Sequence, residues 1–167
     1  MISNQVIVGM ADFQTSKDST EYLCLGLGSC IGLCALDPQT NISGLAHIML
    51  PKPFPNKPID KPGKFAPTAI KTLTEQMISM GASLNSIRIA YVGGAKVFSF
   101  GDSKKDHFDI GSRNIQSVEE IISEMRLQVI ATDVGGTSGR TIMMSSDTGE
   151  IKVRIAAGKE TLLCKLK

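Results

Sequence analysis

Apolar and polar positions along this chain follow two distinct periods. In PTAIKTLTEQMISM, 67–80, Ala69, Ile70, Leu73 and Met77 fall on one stripe at helical spacing, Pro67 suits the first turn, and Gly81 stops the run. Ile115, Val118, Ile121, Ile122 and Met125 make a second helical stripe across 114–126. The remaining apolar stretches are short and strand-like. They lie near 4–10, 21–26, 30–37, 42–49, 86–92, 128–133, 141–146, 151–157 and 161–166, and DTGE at 147–150 reads as a hairpin turn. Strands outnumber helices and the helices interrupt them. The pattern predicts one α+β domain over 1–167, with packed mixed or antiparallel β-sheets flanked by helices.

The prolines all lie between Pro38 and Pro67. PKPFPNKPIDKPGK, 51–64, is therefore expected as a long extended loop ordered by packing. Its Lys52, Lys57, Lys61 and Lys64 either keep an exposed loop solvated or form a rim for an acidic partner.

Composition narrows the function classes. The chain has 167 residues and a formal net charge of only +2, without tryptophan. A nucleic-acid binder would carry a strongly basic face and base-stacking aromatics, so that class is set aside. No apolar run reaches the roughly 18 residues of a membrane span, and the N-terminus lacks the layout of a secretory signal. A cytoplasmic monomer is the expectation. The four cysteines, Cys24, Cys30, Cys34 and Cys164, then read as thiols rather than disulfides. With only His47 and His107 as histidines and no C-x-x-C pair, neither a metal nor a cofactor is expected.

One spacing carries chemistry. LGLGSC, 25–30, precedes a strand-like run, the turn DPQT at 37–40, and a second run holding His47. With DPQT as the loop, Leu36 faces Asn41 and Cys30 faces His47. Directly opposed residues of antiparallel strands share a face, their Cβ atoms about 4.5–5.5 Å apart. A slip of one residue would separate them onto opposite faces. Gly26 and Gly28 permit close backbone approach, and the amides of Ser29 and Cys30 at the strand entrance suit an oxyanion. A neighbouring imidazole would favour the thiolate. Two readings stay open here: a Cys–His nucleophile and base, or a buried thiol beside a structural histidine.

LGLGSCIGLCALDP, GLAHIMLP and DKPGKFAPTAI together resemble the CheD family of chemoreceptor glutamine deamidases, and the likeness continues in VGGAKVF at 92–98, IGSRN at 110–114 and DVGGTSGR at 133–140. The resemblance implies a fold similar to toxin-deamidase catalytic domains. It implies cysteine-dependent hydrolysis of receptor glutamines to glutamates through a thioester, without cofactor. Cys30 matches the family nucleophile and His47 its base, with Gly28 and Ser29 beside the oxyanion. Cys24 stands where the family has threonine, and a thiol accepts hydrogen bonds weakly. Methyl-accepting chemoreceptors are the implied substrates, reached at the membrane only through the receptors themselves. A CheC-type phosphatase is a possible partner. The alternative reading is a regulatory module for that phosphatase, its deamidation weak or lost.

Of the other motifs, IGSRN and DVGGTSGR read equally as structural or as substrate contacts. VGGAKVF is expected as a tight turn near the site. Ser112 or Asn114 is expected to cap the second helix, and Arg113 to meet a carboxylate. Asp133 and Arg140 are expected to brace a glycine-rich bend. His107 falls in a polar loop, and Cys34 and Cys164 in the core.

Overall fold

The computed structural model describes residues 3–97, 109–156 and 158–167. Among these residues, ten strands form two five-stranded mixed sheets. The first has the order β1 (Asn4–Ile7), β3 (Thr20–Leu27), β8 (Arg140–Ser145), β9 (Glu150–Ile155), β10 (Glu160–Lys165). The second has the order β2 (Phe13–Ser16), β5 (Ile42–Ile48), β4 (Ile31–Asp37), β6 (Arg88–Gly93), β7 (Gln128–Val134). β1 runs parallel to β3 and β6 parallel to β7; the other pairings are antiparallel. The expected 4–10 strand ends at Ile7 as β1, and β2 at Phe13–Ser16 lies where no strand was expected.

Helices α1 (Ala66–Ser79) and α2 (Ile110–Met125) cover one face of the second sheet, and the first sheet covers the other. Every residue of β4 and β5 is consequently buried. That double burial explains why both strands read as nearly continuous apolar runs instead of alternating. Ile31, Leu33, Ala35, Ile42, Ala46 and Ile48 face the helices. Cys34, Leu36 and Leu45 face the other sheet, with Tyr22, Cys24, Ile142 and Met144 opposite. The Tyr22 hydroxyl and Ser43 Oγ, 2.9 Å apart, join the two sheets.

α2 begins four residues before its expected start. Asp109, not Ser112 or Asn114, is the cap: its side chain accepts from the Ser112 amide at 2.7 Å. The helix ends on Arg126 in the left-handed region, φ 55°. The 51–64 loop is as expected, apart from a short 3-10 turn over Pro62–Lys64.

The β4–β5 hairpin differs from the expected register. Asp37 pairs with Ile42 and Gly32 with His47, so the loop is 38–41. Asp37 belongs to the strand because its carboxylate accepts from the amides of Gln39 and Ser83. Asn41 instead takes the turn conformation, with φ 61°. Both loop ends move by one residue, so the pairing moves by two. A shift of two preserves the face. Cys30 therefore lies diagonal to His47 on the same inter-sheet side, not directly opposite it.

Candidate active site

Cys30 sits on a short loop between β3 and β4. β3 carries an irregularity between Cys24 and Leu27, and Gly26 turns the chain with φ 68°. The glycine-rich end of β6 holds this loop from the other side. The Gly94 amide donates to the Cys30 carbonyl at 2.9 Å, and the Ala95 amide to the Gly28 carbonyl at 2.8 Å. A Cβ on Gly93, whose φ is 124°, would lie 2.1 Å from the Cys30 carbonyl oxygen, so only glycine fits there. The amides of Ser29 and Cys30 donate to no backbone carbonyl among the described residues. Both residues line a cavity of about 460 Å³ together with Met10, Gly26, Gly28 and Gly111.

His47 is 2% exposed on β5, on the inter-sheet face. Its Nδ1 lies 3.3 Å from the Val8 carbonyl oxygen and 3.4 Å from Cys24 Sγ. A carbonyl can only accept, so Nδ1 carries the ring proton and Nε2 the lone pair. Nε2 is buried with no hydrogen-bond partner among the described residues. The sulfur hydrogen-bonded to the ring is thus Cys24, while the sulfur that opens onto the cavity is Cys30.

Electrostatics separate these two thiols from the imidazole. Burial pushes the Cys24 thiol up to about 12, and the nearby Cys30 adds to the shift. Burial raises Cys30 as well. Burial lowers His47, against an opposing effect of the Val8 hydrogen bond. All three groups are neutral at pH 7. Desolvation penalises each charged form and so works against the thiolate that a neighbouring imidazole favours. The arrangement suits a neutral thiol that loses its proton to a neutral base when substrate arrives.

Two contributors carry no sequence signal for this role. Val8 orients His47 through a main-chain atom. Asn114, fully buried on α2, donates from one amide nitrogen to the carbonyls of Ser29 at 2.9 Å and Met49 at 3.1 Å. It ties the residue before Cys30 to the strand end just past His47. Arg140 and Asp133 brace the glycine-rich bend as expected, with Nε–Oδ2 at 3.2 Å, and Arg140 Nη1 donates to the Gly135 carbonyl at 2.8 Å. Cys34 is core and Cys164 half-buried. His107 lies outside the described residues. Among the described residues, no three His, Cys, Asp or Glu side chains converge as metal ligands would.

A family profile described as CheD chemotactic sensory transduction matches residues 49–155. The chain belongs to the CheD family. A probable chemoreceptor glutamine deamidase CheD of Clostridium botulinum (strain Eklund 17B / Type B) is 40% identical over 155 residues, 93% of this chain and 95% of that protein. One of the same name from Desulfitobacterium hafniense (strain DSM 10664 / DCB-2) is 40% identical over 153 residues, covering 92% and 94%. With 155 of 167 residues aligned, Cys30 and His47 fall inside the similarity to the Clostridium CheD whichever end is left out. Among the described residues no helix is long and apolar enough to cross a membrane.

Proposed function

We propose that this CheD-family chain is a cysteine-dependent protein-glutamine deamidase acting on methyl-accepting chemoreceptors in chemotaxis. The observation that carries the reading is that a cavity-lining thiol and a buried imidazole lie on the same sheet face, the ring's Nδ1 hydrogen-bonded and its Nε2 without a partner among the described residues. The relatives' names support the substrate class.

In this mechanism His47 Nε2 takes the Cys30 thiol proton as sulfur attacks the glutamine Cδ. Catalytic hydrogen bonds commonly tighten only when substrate is bound, so the open Nε2 suits the unliganded site. The oxyanion accepts from the Ser29 and Cys30 amides, with Gly28 giving room for the approach. The intermediate collapses, the C–N bond breaks, and His47 gives its proton to the departing ammonia. Water, deprotonated by His47, then cleaves the thioester to glutamate and restores the thiol. Cys24, fully buried and outside the cavity lining, stands beside Nδ1 as an auxiliary partner. No cofactor enters these steps.

The whole chain works as one domain, a monomer in the cytoplasm that meets the membrane only through receptors, with a CheC-type phosphatase as a further partner. Cys30→Ala should release no ammonia above background from a receptor cytoplasmic fragment while keeping the wild-type circular dichroism spectrum. Deamidation by that variant at the wild-type rate would refute the assignment.

A further inference from the structure

The same end of the second sheet that carries Cys30 also carries a basic and apolar surface that the chemistry above leaves unused. The 51–64 loop leaves β5 just after His47. It is pinned at three places. The Lys64 carbonyl accepts from the Met49 and Leu50 amides, and the Pro51 carbonyl accepts from Ser117 Oγ on α2 at 2.5 Å. Gly63 packs so closely on the Ala11 carbonyl that a Cβ would lie 2.8 Å from it. Ala11 follows cavity-lining Met10, and α2 opens with cavity-lining Ile110 and Gly111. The loop is therefore anchored beside Met10 and on α2, the two segments that also contribute to the Cys30 cavity.

Its own surface is concave, enclosing about 320 Å³. Phe54 and Ile59 lie in it at 51% and 47% exposure, an apolar pair that the fold has left uncovered. Lys57 stands over the Phe54 ring at 5.4 Å, and Lys64 over Phe65 at 5.7 Å. Across 51–64 four lysines face a single acid, Asp60. The prolines limit what the backbone can lose on binding, so this surface is pre-organised. A net positive charge around an apolar depression, Lys57 and Lys64 against Asp60 in its lining, selects a partner of opposite charge with an apolar side chain to insert.

We propose that this surface docks an acidic segment of the protein substrate, a Glu- or Asp-rich stretch with an apolar anchor, and so delivers the target glutamine to Cys30. The proposal rests on the deamidase reading. It makes the lysine loop a determinant of substrate capture, separate from the chemistry.

The test compares wild type with Lys57→Glu/Lys61→Glu and, separately, Phe54→Ala, using a receptor cytoplasmic fragment. Binding is followed by fluorescence anisotropy and turnover by ammonia release. Both variants should raise KM about tenfold, or about 1.4 kcal/mol, with kcat unchanged. Affinity of the wild type should fall with salt, and the double variant should flatten that slope. Alkylation of Cys30 by iodoacetamide should proceed at the wild-type rate in both, showing an intact site. Unchanged KM and salt slope would overturn the docking surface and leave the deamidase intact. Fragment binding that depends on Lys57 and Lys61 without any ammonia release would instead refute the deamidase and keep the docking. Weakened binding to anionic lipid vesicles alone, with the fragment unaffected, would make the loop a membrane contact and end the proposal.

Discussion

His47 owes its tautomer to an atom that every residue possesses. The Val8 carbonyl accepts from Nδ1, which commits the ring proton and leaves Nε2 as a base. Val8 is itself held by its amide, which donates to the Leu23 carbonyl at 2.9 Å. Cys24 is thus a second partner to Nδ1 and not the only one. Cys24→Thr should accordingly leave kcat within about threefold of wild type in an ammonia assay, because the carbonyl already orients the ring. A tenfold rise would mean that the weak sulfur acceptor limits turnover. The shared face of Cys30 and His47 was legible from spacing, since parity along two strands fixes it. Val8 was not, because no side chain marks a carbonyl as a ligand.

At the scale of elements, α2 reaches the site although it contributes no reacting group. Asn114 lies one turn inside the helix and spends its amide on two carbonyls from two different segments. Its sequence context, IGSRN, suggested a cap, and Asp109 fills that role instead. Asn114→Ala would leave both carbonyls unpaired. We expect a loss of about 2 kcal/mol in denaturant unfolding and a fall in kcat of about tenfold or more, with a smaller change in KM. The β4–β5 hairpin teaches a related lesson. DPQT marked a turn correctly to within one residue, but Asp37 is drawn into the strand by the Ser83 amide from a distant segment. The face survived the error because the pairing moved by an even number.

For the whole molecule, the inter-sheet core sets the pH range of stability. His47 in the folded chain is lowered by burial, so below about pH 6.5 the unfolded chain binds a proton that the folded one refuses. Stability therefore rises with pH across that window and is lost as pH falls through it. The thiols act oppositely. Cys24, Cys30 and Cys34 are all raised by burial, so above about pH 8.5 the unfolded chain ionises first and stability falls. Thermal melts across pH should show a plateau between these limits, and His47→Gln should flatten the acid side relative to wild type. With His47 as the proposed base, kcat/KM should hold down to a pH below the ordinary histidine value before His47 protonates. An acid limb at or above that value would contradict a buried, neutral base.

The sequence by itself determined the element types, the α+β class, the common face of Cys30 and His47, and the family. Each follows from local periodicity or from motifs read along the chain, where side-chain identity carries the information. The tertiary structure alone decided the Val8 and Asn114 contacts, the burial that favours the neutral thiol and imidazole, and the anchoring of the lysine loop on α2 and beside Met10. Those depend on backbone atoms and on burial between two sheets. Such quantities belong to no single segment and exist only once distant strands are packed together.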